Sequence, residues 1–260
     1  MVILGRPDAE RSDEVMTRIT QALDAAFSYY ATATGRTPPA DRSIDGRTVV
    51  AEVHATCGAG CSLIGVTGIE IMRRYFQLLY DGVQRDNEFD HVLFYELGRN
   101  FWFWSDALAF QPPDEDPVVT GFAVWMRFRS MAAAGVNGAP FVGTPFAEFE
   151  AQVAGLIDQY EGNPDTTFAA TLAMNRSPGA FGGTDFWASI MMRLTATYGD
   201  EAFVRRFWEH ASRAPRAHNT TEAVTNWVNV ASRAADADLG PLFYDRWGFP
   251  RPDGTATRRQ

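Results

Sequence analysis

The sequence contains no lysine, and all 23 of its basic residues are arginine. This absence excludes a Schiff base formed by lysine, and with it a lysine-anchored pyridoxal cofactor. Acidic residues outnumber basic ones, so that the formal net charge is −9. Because nucleic-acid binding draws on a basic surface, we expect no nucleic-acid partner.

Long apolar runs are also absent, since no stretch approaches the roughly 18 residues that a membrane helix needs. We therefore expect no membrane partner. The first 15 residues are mixed and charged, without the basic start and apolar run of a signal peptide. These features predict a cytoplasmic protein, although a trimmed secreted chain would look the same.

Cysteine is scarce: Cys57 and Cys61 are the only two, in the segment Cys-Gly-Ala-Gly-Cys. Three interpretations are open. Two free thiols beside a glycine turn are the simplest in a cytoplasmic protein. A small disulfide loop is the second. A metal site that adds His54 is the least favoured, because this spacing matches no standard zinc motif.

The hydrophobic pattern predicts a single α+β domain with a small N-terminal sheet and helices, followed by an all-helical C-terminal part. The α/β part covers about residues 1–110, the helical part about 118–250, and residues 251–260 form a loose tail. Strands are predicted at 47–55 and 62–71. Helices are predicted at 11–34, 69–83, 119–133, 146–160, 166–174, 185–198, 200–212, 220–235 and 238–249, and another begins after an Asp90 cap and includes the aromatic run 101–104.

The most informative segment is Tyr95-Glu96-Leu97-Gly98-Arg99. It has the outline of H-E-x-x-H, a helical motif in which two histidines one turn apart bind Zn²⁺ and the glutamate between them acts as general base. The glutamate is present here. Tyrosine and arginine stand at the two ligand positions.

The motif, and its place after a small sheet, resemble the zincin metallopeptidases, most closely the gluzincin-type family that includes plant basic secretory proteins and related bacterial peptidases. In that family a second helix supplies the third ligand, often within E-G-x-A. Residues 120–127, Thr-Gly-Phe-Ala-Val-Trp-Met-Arg, look like this segment, with Thr120 at the glutamate position. Residues 238–249 are similar to the closing helix of the family. The resemblance runs from about residue 45 to 250 and implies a zincin-like fold.

The resemblance also implies a zinc cofactor and peptidase activity, but the three ligand positions hold Tyr95, Arg99 and Thr120. We therefore expect no metal at this site. The peptidase activity of the family does not carry over.

Glu96, Arg99 and Tyr95 are the candidate catalytic residues, because they are neighbours on one helix surface. The Arg99 guanidinium can hold a carboxylate through two hydrogen bonds, but it cannot lower the pKa of a water molecule as zinc does. Burial would raise the pKa of Glu96, whereas Arg99 would lower it. Tyr95 can donate a hydrogen bond.

Thr120, Asn100 and His91 are the candidate substrate-binding residues. Asn100 lies one turn after Glu96, and His91 lies one turn before Tyr95 on the same face. The aromatic run 101–104 is interpreted as core rather than as a ligand cage, since four consecutive aromatic residues point all round a helix.

We predict a protein that is not a peptidase and that binds a small or peptide-like ligand in the former cleft, as a binding protein or a metal-free enzyme. Two alternatives stay open. One is a metal-dependent hydrolase with an unorthodox ligand set, such as His91 with Glu96 or His54. The other is a structural or interaction protein in which Glu96 and Arg99 form only a packed ion pair.

Overall fold

The computed structural model describes residues 1–253 and 255, and it has a mixed α+β structure with a small sheet and many helices. The chain divides into two compact units. Unit 1 comprises residues 1–32, 36–103 and 126–150, and unit 2 comprises 33–35, 104–125 and the chain from 151 onward. The predicted division near residue 110 differs from these units, because it places residues 126–150 in the helical C-terminal part, whereas they belong to unit 1.

Unit 1 contains a small mixed sheet of five strands. They are β1 (Val2–Leu4), β2 (Ser43–Ile44), β3 (Arg47–Val53), β4 (Gly60–Ser62) and β5 (Ile69–Met72). Strands β1, β3 and β5 are parallel, and β4 pairs antiparallel with β5 at the sheet edge. The register sets Gly60 opposite Ile71 and Ser62 opposite Ile69. β2 pairs antiparallel with β3.

The helices that contribute to unit 1 are α1 (Asp13–Thr34), α2 (Arg73–Asp86), α3 (Val92–Asn100), the later part of α5 (Val118–Ala133) and the start of α6 (Phe146–Ala154). Helix α1 forms because Val15, Ile19, Leu23 and Tyr30 recur at helical spacing and are all buried. Gly35, with φ +66°, follows its last turn. Two short strands, β6 (Glu88–Phe89) and β7 (Asn137–Gly138), form a separate parallel pair.

The strand predicted at 62–71 is wrong, because the chain forms β4 and β5 with a loop at residues 63–68 between them. Gly65 has φ +74° and Gly68 has φ +113°, conformations that glycine adopts without steric cost. The β-branched residues around these glycines suggested one continuous strand. The glycines reverse the chain instead, and this turn makes β4 an edge strand.

Unit 2 is helical as far as the structure describes it, and aromatic side chains form much of its core. Its helices are α4 (Ser105–Leu108), the first turns of α5, the end of α6, α7 (Leu156–Gly162), a 3₁₀ helix (Leu172–Met174), α8 (Gly183–Thr197), α9 (Glu201–Ala211), α10 (Thr220–Ala235) and a π-helical segment (Pro241–Arg246). Trp104 stacks on Trp208 with ring centroids 4.2 Å apart, and Trp187 stacks on Trp227 at 5.5 Å. The predicted role of the tryptophans as packing residues is confirmed.

Two further helix predictions need correction. Helix α3 ends at Asn100, so the aromatic run that follows it is not helical, although Phe101, Trp102 and Trp104 are buried as a core interpretation requires. Of the helix predicted at 166–174, only the 3₁₀ turn forms. The hydroxyls of Thr166 and Thr171 donate to nearby backbone carbonyls, a local bonding pattern that competes with a regular helix.

The predicted loose tail lies partly outside the described residues, which omit 254 and 256–260. Where it is described, the Arg251 N–H donates to the carbonyl of Thr255. The Arg251 guanidinium lies 5.4 Å from the Tyr244 ring centroid. Among the described residues, no helix combines the length and the apolar character that crossing a membrane requires.

Gly121 provides a test of packing in unit 2. A Cβ at this position of α5 would lie 2.9 Å from the Thr184 carbonyl oxygen and 2.9 Å from a ring carbon of Trp187, both on α8. We expect Gly121→Ala to lower the free energy of unfolding by about 1–3 kcal/mol, because the backbone of α8 would have to move.

The matched control is Gly162→Ala at the end of α7, where an added methyl group meets nothing within 4 Å. We expect this variant to be as stable as the parent in urea unfolding. Equal stability of the two variants would show that the close approach of α5 and α8 at Gly121 does not contribute to the free energy of unfolding.

Candidate functional site

Helix α3, which carries the H-E-x-x-H-like segment, begins at Val92 and lies against the edge strand β4. The N-cap position is held by His91, which makes no side-chain cap bond, so Asp90 is one residue earlier than an N-cap. The Asp90 side chain nevertheless bonds the first helical N–H, since the Val92 N–H donates to Asp90 Oδ1 at 2.8 Å. Burial raises the pKa of Asp90, while the Val92 hydrogen bond and the Arg127 cation act in the opposite direction.

Glu96 points from α3 toward β4 and is only 5% exposed. The Ser62 hydroxyl lies 2.7 Å from Glu96 Oε2 and 2.9 Å from the Glu96 carbonyl oxygen, so its one proton is shared between two acceptors. The backbone N–H of Ser62 is also hydrogen-bonded to the carboxylate. Burial raises the pKa of Glu96, and the Ser62 bonds and the Arg99 cation offset part of that rise.

The sheet pattern explains why this N–H is available. The Met72 N–H donates to the Ala59 carbonyl at 2.9 Å, so Ala59 and Met72 form a hydrogen-bonded pair of the antiparallel ladder. Hydrogen-bonded and non-hydrogen-bonded pairs alternate along such a ladder, and Ser62 therefore belongs to a non-hydrogen-bonded pair. Its N–H points away from β5, toward the open sheet edge. Glu96 thus covers an edge N–H that would otherwise lack a partner in the sheet.

Gly60 makes the close contact between β4 and α3 possible. A Cβ at this position would lie 2.9 Å from Glu96 Cγ and 3.3 Å from the Glu70 carbonyl oxygen. A side chain here would force the Glu96 side chain or the strand to move. The glycine therefore sets the distance at which Ser62 can bond to Glu96.

Arg99 forms an ion pair with Glu96, with Nε 3.8 Å from Oε2. The Arg99 side chain is 26% exposed, whereas that of Glu96 is 6% exposed. Tyr95, one turn before Arg99, is half-buried. Of the three candidate catalytic residues, Glu96 is thus enclosed, whereas Arg99 and Tyr95 are partly exposed.

Asn100 is fully buried and holds the loop at residues 63–68 against the end of α3. Its Nδ2 donates to the carbonyls of Leu63 at 3.0 Å and Gly68 at 3.3 Å. The Gly65 N–H donates to the Arg99 carbonyl at 3.1 Å. These bonds explain why an amide occupies this position. A direct contact of Asn100 with substrate stays a prediction.

His91 interacts with Arg127, a buried residue in the unit 1 part of α5. Arg127 Nη1 lies 3.2 Å from His91 Nδ1. Since a guanidinium can only donate, Nδ1 is the acceptor and we assign the ring proton to Nε2. Burial and the Arg127 cation lower the pKa of His91 to about 3, so that the ring is neutral near neutral pH.

Aromatic rings surround Arg127. Its guanidinium carbon lies 4.8 Å from the ring centroid of Phe128, 4.9 Å from that of Phe149 and 6.0 Å from that of Tyr95. The side chain is thus enclosed by cation–π contacts. His91 and Tyr95 face this group, while Glu96 faces the edge strand, so the polar residues of α3 have two separate environments.

Thr120, the remaining candidate, belongs to unit 2 and is half-buried, whereas the other candidates belong to unit 1. Its participation in a common site with Glu96 and Arg99 stays a prediction. His54, part of one alternative ligand set, is exposed just after β3.

The donor atoms in this part of unit 1 do not suit a zinc ion. Arg99 introduces a cation beside Glu96, and the Arg127 donor occupies Nδ1 of His91. Cys57 and Cys61 form a disulfide, so the interpretation as free thiols is wrong and no thiolate is available as a ligand. Within residues 1–253 and 255, no group of three or more His, Cys, Asp or Glu side chains is arranged to hold a metal.

Sequence reasoning missed three residues of this region. Ser62 and Gly60 gave no signal, because their partner Glu96 lies more than 30 positions away in the chain. Arg127 could have been found, since it is a charged residue within the apolar run 122–128. A buried arginine in such a run requires specific partners.

Comparisons with known proteins give a fold but no family. No family model and no curated protein matches the chain. Two crystal structures are similar: a functionally unknown conserved protein from Bacillus anthracis str. Ames, with TM-score 0.55, 11% identity and 95% of this chain covered, and a mutant form, with TM-score 0.56, 12% identity and 94% covered. This chain spans 45% of either of those chains.

The raised pKa of Glu96 predicts a pH-dependent stability. The folded state binds the Glu96 proton more tightly than the unfolded state, whose carboxyl keeps its usual pKa of 4.5. The contribution of Glu96 to the free energy of unfolding is therefore fully present below pH 4.5 and is lost as pH rises through the folded pKa. In the Glu96→Gln variant, we expect the free energy of unfolding, measured in urea over a pH series, to lack this decrease with rising pH. Glu14→Gln, on the exposed start of α1, should leave the slope unchanged.

The lowered pKa of His91 predicts the opposite behaviour. Its contribution is present above the ordinary pKa of 6.5 and is lost as pH falls toward about 3. We expect His91→Gln, whose amide oxygen can still accept from Arg127, to retain more stability in acid, by on the order of a few kcal/mol. His218→Gln, at an exposed histidine, is the control, and parallel acid curves for parent and His91→Gln would contradict the assignment.

Proposed function

We propose that this chain is a zincin-like protein that acts as a binding protein rather than a peptidase. In this proposal, the Arg99 guanidinium receives the carboxylate of a small or peptide-like ligand. A hydrogen bond from Tyr95 to this ligand stays a prediction, because the Tyr95 ring faces Arg127. The proposal is made for the described unit 1 residues and does not need Thr120.

The observation that carries the proposal is the contrast in exposure between Glu96 and Arg99. Glu96 is 6% exposed at its side chain and accepts bonds from Ser62, whereas Arg99 is 26% exposed. A solvent-accessible guanidinium is the side chain best suited to planar, bidentate capture of a carboxylate. The accessible chemistry of the motif is thus that of a fixed cation.

Peptide hydrolysis is less well supported by the same contacts. A general base must reach the proton it removes, directly or through one water molecule. The Glu96 carboxylate is enclosed by Ser62 and Gly60, and Arg99 stands at the position of the second metal ligand in the resembled motif. A metal-dependent hydrolase built on His91 and Glu96 would require His91 to leave Arg127.

The order of elements supports the zincin-like part of the proposal. A small sheet precedes α3, which carries Glu96, and α5 follows with the segment that contains Thr120. This is the order that the resemblance implies. Nothing in the solved structures that match extends this support to an activity.

A structural or interaction protein is the second candidate, and a specific observation favours it. Glu96 is fully used in joining β4 to α3, as a structural residue would be. In that case Arg99 only balances the buried charge. The two candidates differ in one measurable property, which is carboxylate binding that depends on Arg99.

The Cys57–Cys61 disulfide bears on the location of the protein. Disulfides persist in oxidising compartments and are rare in the cytosol. The disulfide thus favours an oxidising compartment over the cytoplasmic location predicted from the sequence, which stays a prediction.

The test is calorimetric titration with N-acetylated tripeptides that carry either a free C-terminal carboxylate or an amide. We expect the acid to bind and the amide not to bind. Arg99→Gln should weaken binding by roughly 10- to 100-fold, since a hydrogen bond to a charged group contributes about 1.5–3 kcal/mol. Arg99→Lys should retain part of the affinity, because it keeps the charge but not the bidentate geometry.

The matched control is Arg74→Gln, which removes an exposed arginine from α2 in the same unit. It should leave binding unchanged. Equal binding of acid and amide, or no effect of Arg99→Gln, would favour the structural alternative. Zinc bound at one ion per chain would overturn the proposal in favour of a metal-dependent hydrolase.

A further inference from the structure

We infer that the Cys57–Cys61 disulfide is a site of thiol–disulfide exchange, an activity independent of the proposed carboxylate binding. Its substrate is a thiol, either a low-molecular-weight thiol or a cysteine pair of another protein. Three features of the turn between β3 and β4 support the inference. They are the unequal exposure of the two cysteines, the small residues between them, and hydrogen bonds that hold the turn without the disulfide.

The two cysteines differ in accessibility. Cys57 lies in the turn and is exposed, whereas Cys61 is the second residue of β4 and is half-buried. In thiol–disulfide exchange, an attacking thiolate must reach one sulfur, and the other sulfur then leaves. Attack is therefore directed to Cys57 Sγ, and Cys61 is the leaving cysteine.

The segment between the cysteines leaves the Cys57 sulfur open. It consists of Gly58, Ala59 and Gly60, which have the smallest side chains. A Cβ on Gly58 would lie 3.4 Å from the Gly60 carbonyl oxygen, and Cys57 Sγ lies 3.7 Å from the same oxygen. The turn is thus folded closely on its own backbone, and none of its three central residues has a long side chain that could cover the sulfur.

Hydrogen bonds to β5 hold this turn without the disulfide. The Thr56 hydroxyl donates to Glu70 Oε2 at 2.8 Å, just before the first cysteine. The Met72 N–H donates to the Ala59 carbonyl at 2.9 Å, between the two cysteines. Cys61 itself lies opposite Glu70 in the β4–β5 ladder. None of these contacts uses a sulfur atom, so all of them can persist when the disulfide is opened.

The turn therefore keeps the cysteines together in the reduced state. Their Cα atoms lie 5.6 Å apart, within the range that a disulfide requires. Two thiols held at this separation react with each other as an intramolecular pair of high effective concentration. The sequence separation is only 4, and a disulfide stabilises a fold less when the loop that it closes is shorter. We therefore expect both the open and the closed form to be folded, as a cycling site requires.

The exchange balances in two steps. A substrate thiolate attacks Cys57 Sγ and forms a mixed disulfide, the Cys57–Cys61 bond breaks, and Cys61 leaves as a thiolate that takes a proton from water. A second substrate thiolate then attacks the substrate sulfur of the mixed disulfide, and Cys57 leaves. Two substrate thiols are thereby oxidised to a disulfide, and the protein disulfide is reduced to two thiols. The reverse sequence closes the pair again, with a small disulfide such as oxidised glutathione as the oxidant.

The test uses the full oxidised chain in buffers with graded ratios of reduced to oxidised glutathione. Samples are quenched with an alkylating reagent, and mass spectrometry counts alkylated cysteines and bound glutathione. We expect two alkylated cysteines to appear reversibly as the ratio rises, while the native near-ultraviolet circular dichroism is retained. A structural disulfide typically resists reduction by glutathione. A disulfide that stays closed at every ratio until urea unfolds the chain would therefore overturn the inference.

Single variants test which sulfur is attacked. Cys61→Ser leaves the exposed Cys57 thiol, and we expect a mixed disulfide with oxidised glutathione to accumulate, because no second thiol resolves it. Cys57→Ser leaves the half-buried Cys61 thiol, which should react at least about tenfold more slowly, since exchange depends on access. Equal rates, or a slower rate for Cys61→Ser, would contradict the assignment of Cys57. The titration of the parent chain does not depend on the folding of either variant.

A second probe, the peptide N-acetyl-Cys-Gly-Gly-Cys-amide, distinguishes the two sources of the thiol. Faster opening by this peptide than by glutathione, at equal thiol concentration, would assign the site to a cysteine pair of another protein. The reverse order would assign it to a low-molecular-weight thiol. The control is the double variant Cys57→Ser/Cys61→Ser, which should exchange with neither probe. Because carboxylate binding at Arg99 uses no cysteine, failure of the exchange would leave the proposed function intact.

Discussion

The hydrogen bonds between Ser62 and Glu96 are the contact on which the candidate site depends. They join an edge strand to a helix through one buried carboxylate, and that carboxylate also balances Arg99. A buried charge is tolerated only when its partners are in place. Gly60 permits the approach, Ser62 supplies the donors and Arg99 supplies the opposite charge, so all three act on the same carboxylate.

This arrangement gives the two arginines near α3 different roles. Arg127 is 5% exposed, lies among aromatic rings and donates to His91, so it is part of the interior of unit 1. Arg99 and Ser62 both contact the Glu96 carboxylate, and the Arg99 side chain remains a quarter exposed. The difference follows from position on the helix: residues facing α5 meet aromatic side chains, and residues facing β4 lie at the edge of the sheet.

Local patterns in the sequence predicted much of the fold. The spacing of Val15, Ile19 and Leu23 predicted α1, and Asp90 predicted the start of α3 to within one residue. The loop at 63–68 was missed because β-branched residues concealed the meaning of Gly65 and Gly68. In the candidate site, Glu96 and Arg99 are visible as helix neighbours. Contacts between distant segments are not visible in a single sequence, because nothing local to Ser62 or Arg127 identifies a partner more than 30 positions away.

The disulfide closes a ring around the turn that leads into β4, and one of its cysteines immediately precedes Ser62. A chain made in an oxidising compartment and one made in a reducing compartment are consequently different chemical species at this turn. In the first, the start of the strand is covalently closed. In the second, only hydrogen bonds define it, so two preparations of identical sequence can differ in how firmly Glu96 is enclosed. The redox history of a sample is therefore part of its structural description.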